Sequence, residues 1–151
     1  MTIYIGADHG GFDLKEHLKA ILENEEYEVV DVGAVRVVAG DDFPEFASAV
    51  AERVAKGASD NRGIVICRSG FGADIVANKF PGIRSALAMS PDHIYQGRHD
   101  DDVNVLALAA DFVTPEEAEK IMKVFLSTPA ASDERYLRRK EEIREIDARR
   151  S

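Results

Sequence analysis

The chain has one cysteine, Cys67, and it stands just before Arg68-Ser69-Gly70-Phe71-Gly72. Glycines let a backbone turn sharply and aim its N–H groups inward. With the start of a following helix, such a loop makes an anion hole, able to hold a phosphate or the enediolate formed in a proton transfer. A tight strand–helix turn without any ligand uses the same residues. A dinucleotide fingerprint is not met, because Asp74-Ile75 supplies no third glycine in register. Two readings of Cys67 stay open. It is a small apolar core residue, or a thiol whose ionised form, favoured by a helix start, serves as a base. Arg68 either supports a thiolate or, by strand alternation, points away from it.

Two other polar groups have residue types that do chemistry. Asp8-His9 ends the first apolar run. The pair reads as an Asx turn with a polar cap, or as an anion-binding or proton-shuttling histidine. Arg98-His99-Asp100-Asp101-Asp102 precedes another apolar run and reads as a solvated loop. A divalent-metal site built from His99, Asp100 and Asp102 is the sharper alternative, although consecutive side chains seldom converge on one ion. His17 and His93 fall within helical patterns, on their solvent sides.

These groups need elements to position them, and strand and helix signals alternate along the chain. Ile3–Ala7 is a strand, and Leu14, Leu18, Ile21 and Leu22 mark a helix. Tyr27–Val32 is a strand. Pro44 opens a helix with Phe46, Val50 and Val54 on one face. Gly63–Cys67 is a buried strand, followed by a helix through Lys79. Arg84–Met89 is a strand, and Ser90-Pro91 is an N-cap with proline at the first helical position. Asn104–Ala109 is the fifth strand. Thr114-Pro115-Glu116-Glu117 is a capping box for a helix that buries Ala118, Ile121, Met122, Phe125 and Leu126. Ser132 or Asp133 starts a last, highly charged helix. The alternation predicts an α/β fold with a parallel sheet covered on both faces. In such sheets ligands bind at the carboxyl ends of the strands, near a topological switch point.

Composition narrows the function classes. At 151 residues, 45% hydrophobic and 31% charged, the chain suits a single globular domain, 1–151. A lone cysteine permits no intrachain disulfide and fits a reducing compartment. Met1–Gly6 reads as a strand and not as a signal peptide, and no apolar run approaches the ~20 residues of a membrane span. A cytoplasmic protein with no membrane partner is expected. Net charge is −9; the tail from Ser132 to Ser151 sums to +1, so residues 1–131 carry −10. An acidic body repels nucleic acid, while local arginines still attract a small anion. The last helix has a thin apolar stripe of Tyr136, Leu137, Ile143 and Ile146. It is a solvated helix laced with ion pairs, or an arm that packs on another subunit and lends it arginines.

Together the motifs resemble a known family. Asp8-His9-Gly10-Gly11-Phe12, Cys67-x-Ser69-Gly70-x-Gly72, Ala77-Asn78-Lys79 with Gly82-Ile83-Arg84, and Asn104-Val105-Leu106 are similar in order and spacing to ribose-5-phosphate isomerase type B and galactose-6-phosphate isomerase. The resemblance covers nearly the whole chain. It implies a Rossmann-like three-layer sandwich with a five-stranded parallel sheet and a protruding C-terminal helix. It also implies aldose–ketose isomerisation of a sugar phosphate without cofactor or metal. A homodimer or tetramer is implied, with sites shared across the interface and residues 132–151 as a dimerisation helix. On this resemblance Cys67 is the base that moves a proton between C1 and C2 through a cis-enediolate. Ser69 assists ring opening or positioning. Gly70, Phe71, Gly72 and Ala73 stabilise the enediolate with backbone groups. Asp8 and His9 line the sugar and phosphate site, and Arg135 and Arg139, one helical turn apart, bind phosphate.

The chain departs from that pattern in ways that matter chemically. Arg68 replaces a glycine. Asp100 stands where the ring-opening histidine belongs, with His99 one position early, so the ring-opening acid is His99, Asp100 or absent. Asp101 replaces a substrate-binding asparagine, Asp111 a phosphate-binding arginine, and Phe43 a tyrosine; Asp74 takes a small or polar position. Added carboxylates disfavour a dianionic phosphate. Arg68 compensates as a new cation, or pairs with Asp74 or Asp100. The enediolate apparatus is kept while the phosphate and ring-opening apparatus is altered, which implies a shifted sugar specificity. A non-catalytic sugar-phosphate-binding paralogue, or the structural partner subunit of an active relative, is the alternative.

Overall fold

The computed structural model describes residues 1–150. Five strands, β1 (Thr2–Ala7), β2 (Glu28–Asp31), β3 (Arg62–Cys67), β4 (Ser85–Leu87) and β5 (Val105–Ala109), form one parallel sheet in the order β2-β1-β3-β5-β4. Six helices connect or follow them: α1 (Phe12–Asn24), α2 (Phe43–Lys56), α3 (Phe71–Ala77), α4 (Pro91–Asp101), α5 (Pro115–Ser127) and α6 (Glu134–Asp147). The expected five-stranded three-layer α/β architecture is present.

Period-two alternation of apolar residues explains why the sheet is covered on both faces. On β3, Ile64 and Ile66 join Leu106 and Leu108 of β5 in a core shared with Leu14, Leu18 and Leu22 of α1, Ile94 of α4, and Ile121, Met122 and Phe125 of α5. Val65, Cys67, Val105 and Ala107 face the other way, onto Ala47, Val50 and Val54 of α2 and Ala73 and Ala77 of α3. The helix starts follow their residues. Ser90 accepts from His93 N–H at 3.1 Å to cap α4, and Thr114 and Glu117 close the capping box of α5. Leu126 is only partly buried.

Two details differ from the sequence reading. The segment Arg98–Asp101 is the last turn of α4 and not a loop, and Arg98 is buried. Its guanidinium donates to the Thr128 carbonyl, the Val103 carbonyl and Asp102, so it staples α4 to the start of β5 and the end of α5. Lys15, on the apolar face of α1, is fully buried. It donates to Asp31, Glu16 (2.9 Å) and the Ala34 carbonyl (2.9 Å). Burial pushes the Asp31 carboxyl up, but hydrogen bonds from Lys15, Lys19 and the Gly33 N–H outweigh it and hold Asp31 below the ordinary carboxylate range.

No residue of α6 is buried. The helix stands off the edge strand β4, across a groove of about 840 Å³ lined by Ile83, Ala86, Leu137, Ile143 and Ile146. Its ends are tied down. Lys140 donates to the Ala131 carbonyl (3.0 Å), Asp147 accepts from Gly82 N–H (2.5 Å), and Arg150 donates to the Asn78 carbonyl (2.8 Å). No helix among the described residues is long and apolar enough to cross a membrane.

Candidate active site

The strand order places a switch point between β1 and β3. From β1 the chain moves outward to β2, then returns to β3 and builds toward β5 and β4. The loops after β1 and β3 diverge there, leaving a crevice at the strands' carboxyl ends. Ala7 pairs with Ile66, so Asp8 and Cys67 follow side by side.

Cys67 is the last residue of β3, 5% exposed and free of any disulfide. Its side chain belongs to the apolar cluster under α2 and α3. The loop beyond it is fixed by glycine geometry. Gly70 has φ +77°, and a Cβ there would collide with Leu87 and press on the Ala109 amide. A Cβ on Gly72 would stand 2.5 Å from the Phe43 ring, so the ring at the start of α2 lies directly against the loop. Asp74 N–H bonds the Gly70 carbonyl at 3.0 Å, closing the first turn of α3. The N–H groups of Phe71, Gly72 and Ala73 precede that bond and have no helical acceptor. They form a cradle beside the cysteine. Ser69 is half-buried next to it, and its hydroxyl bonds no described residue. Phe71 is exposed, and Ala73 is buried.

Arg68 lies away from the thiol, as alternation predicts. Its stem crosses Gly10 and its guanidinium reaches Asp111 at 3.6 Å. The expected pairing with Asp74 or Asp100 is not formed. Asp74 instead accepts from Ser85 Oγ at 2.6 Å, and burial pushes its carboxyl up, with that hydrogen bond pulling the other way. Asp111 is held because its own N–H bonds the Arg68 carbonyl (3.0 Å), which brings the loop after β5 against the loop after β3.

Asp8 makes the Asx turn, accepting from Gly11 N–H at 3.2 Å. His9 is built in more firmly than its sequence context indicated. Its Nδ1 lies 2.6 Å from Asp41 Oδ1, and its backbone N–H donates to the same oxygen at 2.8 Å. Asp41 Oδ2 is buried without a partner. Asp8, His9 and Asp41 each bring a ligand-type atom within 4.8 Å of the others, so these three are the described side chains that could hold a divalent ion. Asp41 was missed because it is 32 residues from His9 and nothing local links them. The strand order that brings the β2–α2 loop over β1 is what joins them.

The remaining expected site residues lie elsewhere. His99 and Asp100 sit in the last turn of α4, with Nδ1 2.7 Å from Asp100 Oδ1. The imidazole stacks on Tyr95 (5.6 Å) and meets the Tyr136 ring edge-on (5.3 Å). Arg135 and Arg139 are exposed and lie over Tyr136, at 4.5 and 6.0 Å. Asp101 is exposed beside the α6 groove. Asp102 does not join His99 and Asp100. It takes Arg98 (2.7 Å) and Arg84 (3.1 Å), so the three-residue metal site is not assembled. Because α4 runs from the end of β4 back to the start of β5, this group lies at the amino ends of the strands. One strand of five residues, about 17 Å, separates the two ends of the sheet.

The comparisons with known proteins agree with this geometry. The family model described as Ribose/Galactose Isomerase matches residues 3–143. The chain is 38% identical over 149 residues to ribose-5-phosphate isomerase B of Escherichia coli, covering 99% of this chain and 98% of that one. It is 37% identical over 139 residues to ribose-5-phosphate isomerase B of Mycolicibacterium paratuberculosis, covering 92% and 87%. The crystal structure of ribose-5-phosphate isomerase B from Mycoplasma genitalium with bound ribulose-5-phosphate superposes with a TM-score of 0.93 at 36% identity, over 98% of this chain and 97% of that one.

Proposed function

The chain belongs to the ribose/galactose isomerase family, and from that premise we propose that it interconverts the aldose and ketose forms of a sugar phosphate, with Cys67 as the proton-transfer base. The observation that carries the assignment is a buried cysteine at the switch point, flanked by the unpartnered N–H groups of Phe71, Gly72 and Ala73. A thiolate there takes the proton from one carbon of the open-chain sugar. The charge that develops on oxygen meets backbone donors already in place, which is where such donors contribute most. Returning the proton to the neighbouring carbon completes the isomerisation. Ser69, Asp8 and His9 line the sugar, and Phe43 closes the loop side of the crevice.

The residues for the far end of the substrate come from a second copy of the chain. His99, Asp100, Asp101, Arg135 and Arg139 lie away from the Cys67 loop within one chain, toward the amino ends of the strands. Arg135 and Arg139, one turn apart on an exposed face, suit a phosphate, and Leu137, Ile143 and Ile146 are exposed on the same helix. In this reading α6 is a dimerisation helix that carries its arginines to the partner's crevice. Arg68 balances Asp111, which lowers the carboxylate's repulsion of an anion. The non-catalytic alternative has no structural feature behind it, since the cysteine and its cradle are intact.

Proton NMR in deuterium oxide tests the base. Cys67→Ala is expected to lower isomerisation and C–H exchange of ribose 5-phosphate and ribulose 5-phosphate by about 10³-fold, within the range for a lost acid–base group. A Cys67→Ala variant with wild-type exchange would sink the assignment.

A further inference from the structure

Resting on the isomerase reading, we propose that Arg68 is the cation this chain itself supplies to the substrate's phosphate, and that Asp111 tempers its grip. Neighbouring residues at a strand end send their side chains to opposite faces of the sheet. Cys67 faces α2 and α3, together with Val65. Arg68 turns to the other face, where Gly10 leads into α1 and Asp111 precedes α5. In this pose a sugar phosphate with its reacting carbons at Cys67 and the N–H cradle extends across the end of β3. The guanidinium it meets on the far side is that of Arg68.

The side chain is aimed but not bonded. Its stem lies flat on Gly10, where a Cβ would stand 2.4 Å from Arg68 Cγ and 3.2 Å from Nε. Any side chain at position 10 would lift the arginine off the loop after β1. Backbone bonds place its other neighbour. Ala110 N–H donates to the Cys67 carbonyl (2.9 Å) and Asp111 N–H to the Arg68 carbonyl (3.0 Å), which sets the Asp111 carboxylate beside the guanidinium. The two charged groups nevertheless stand 3.6 Å apart, beyond the reach of about 2.7–2.9 Å for a charge-assisted hydrogen bond. The Arg68 side chain is 63% exposed, and its N–H donors bond no described residue. A guanidinium held in this way fits a phosphate, whose oxygens take a parallel pair of N–H bonds. The lysines of α1 are not free for it, since Lys15 and Lys19 both bond Asp31.

Asp111 works against the ligand in two ways. Its carboxylate attracts the guanidinium that a phosphate uses, and its charge repels a dianion. An ion pair this exposed is weak, so a phosphate takes the guanidinium from it. The arginines that α6 of a second copy brings approach the same anion from outside the chain. Arg68 is then the part of the phosphate site that does not depend on assembly.

Two measurements on the full chain test the assignment: binding of inorganic phosphate, followed by phosphorus NMR, and the kinetics of ribose 5-phosphate. Arg68→Ala is expected to weaken phosphate binding and raise KM by about tenfold, with kcat within about threefold of wild type. Arg68→Lys keeps the charge without the planar fork and should fall between the two. Asp111→Asn is expected to act in the opposite direction, tightening phosphate binding and lowering KM by about threefold. The opposite signs separate a ligand from a brace. An ion pair that only holds the loops together would make Arg68→Ala and Asp111→Asn fail alike, and that result overturns the proposal. So does wild-type phosphate binding in Arg68→Ala, or in Arg68→Lys if the alanine variant does not fold. A fall in kcat at unchanged KM in the Arg68 variants also overturns it, because the side chain would then act at the reacting carbons. A wild type that binds phosphate, with these shifts in the variants, yet leaves ribose 5-phosphate unconverted removes the isomerase reading instead and leaves the anion site standing.

Discussion

The two ends of the sheet are built on opposite plans. At the carboxyl end, the charged side chains of the crevice are aimed by neighbours in the same chain: His9 by Asp41 and Arg68 by Asp111. Backbone glycines there sit where a Cβ has no room. At the amino end, Arg135 and Arg139 are exposed on a helix with no buried residue, and lean on a tyrosine instead of a carboxylate. The first plan is preorganised and is suited to fixing a reacting atom. The second is a set of cations and apolar side chains waiting for something from outside the chain. On the proposed reading, the difference means that one chain supplies two half-sites and not one whole site.

Mixing variants breaks this comparison most sharply. Cys67→Ala ruins the carboxyl half, and the double variant Arg135→Ala, Arg139→Ala ruins the amino half. If each site joins the two halves from different copies, a mixed dimer has one site with both defects and one with neither. Random re-pairing of equal amounts should then recover about a quarter of wild-type turnover, against about 10⁻³ for the cysteine variant alone. No recovery after verified exchange of subunits would mean that both halves act within one copy.

Stability should divide along the same line. Lys15 is buried under the carboxyl-end loops, where it joins Asp31 to the Ala34 carbonyl ahead of Asp41. Lys15→Met leaves Asp31 half-buried with less counter-charge, and removing one partner of a buried pair costs about 3–5 kcal/mol. Asp31 is held low in the folded state, so its contribution exists above the ordinary carboxylate pKa and is lost as pH falls through the folded value. The variant should therefore lose stability at pH 7 and show a flatter acid limb in denaturant titrations. Arg139→Ala, at the exposed end, should stay within about 0.5 kcal/mol of wild type.

What that arginine changes is binding. Arg135→Ala and Arg139→Ala should each raise KM for a sugar phosphate by about tenfold, with the loss shrinking as salt rises. A fall in kcat at constant KM would move these arginines from holding the phosphate to the reaction itself.

The sequence made one of these halves easier to read than the other. Helix caps such as Ser90 and Thr114 and the alternating Ile64, Val65 and Ile66 are local signals, and local physics decided those elements. The Cys67 loop was legible for the same reason, since the strand, glycines and helix are consecutive. Asp41 on His9 and Asp111 on Arg68 are products of strand order, which no local pattern encodes. Lys15 shows a different limit. Its position beside Leu14 and Leu18 marks the core face of α1, but a lysine is read as surface unless Asp31 is known to stand opposite. The last turn of α4 looked like a loop because Arg98 through Asp102 are all polar. Burial of the Arg98 guanidinium against three acceptors is what makes it helix.

The smallest expected effect lies where the two plans meet. Asp74 is in the first turn of α3, a residue beyond the N–H cradle, and it bonds Ser85 on the edge strand. Burial raises its pKa, so the ionised form costs stability at neutral pH, and that cost vanishes once the group is protonated in both folded and unfolded chains. Asp74→Asn keeps an acceptor for Ser85 and removes the charge. It should raise the melting temperature slightly at pH 7–8, by no more than about 1 kcal/mol in stability, with the gain fading as pH falls toward about 4. On the proposed reading the same change removes a negative charge next to the cradle for a developing anion, so kcat/KM should rise, by less than about tenfold. If activity drops instead, the Asp74 carboxylate takes part in the chemistry, and the carboxyl end holds a second ionisable group that the cradle alone does not explain.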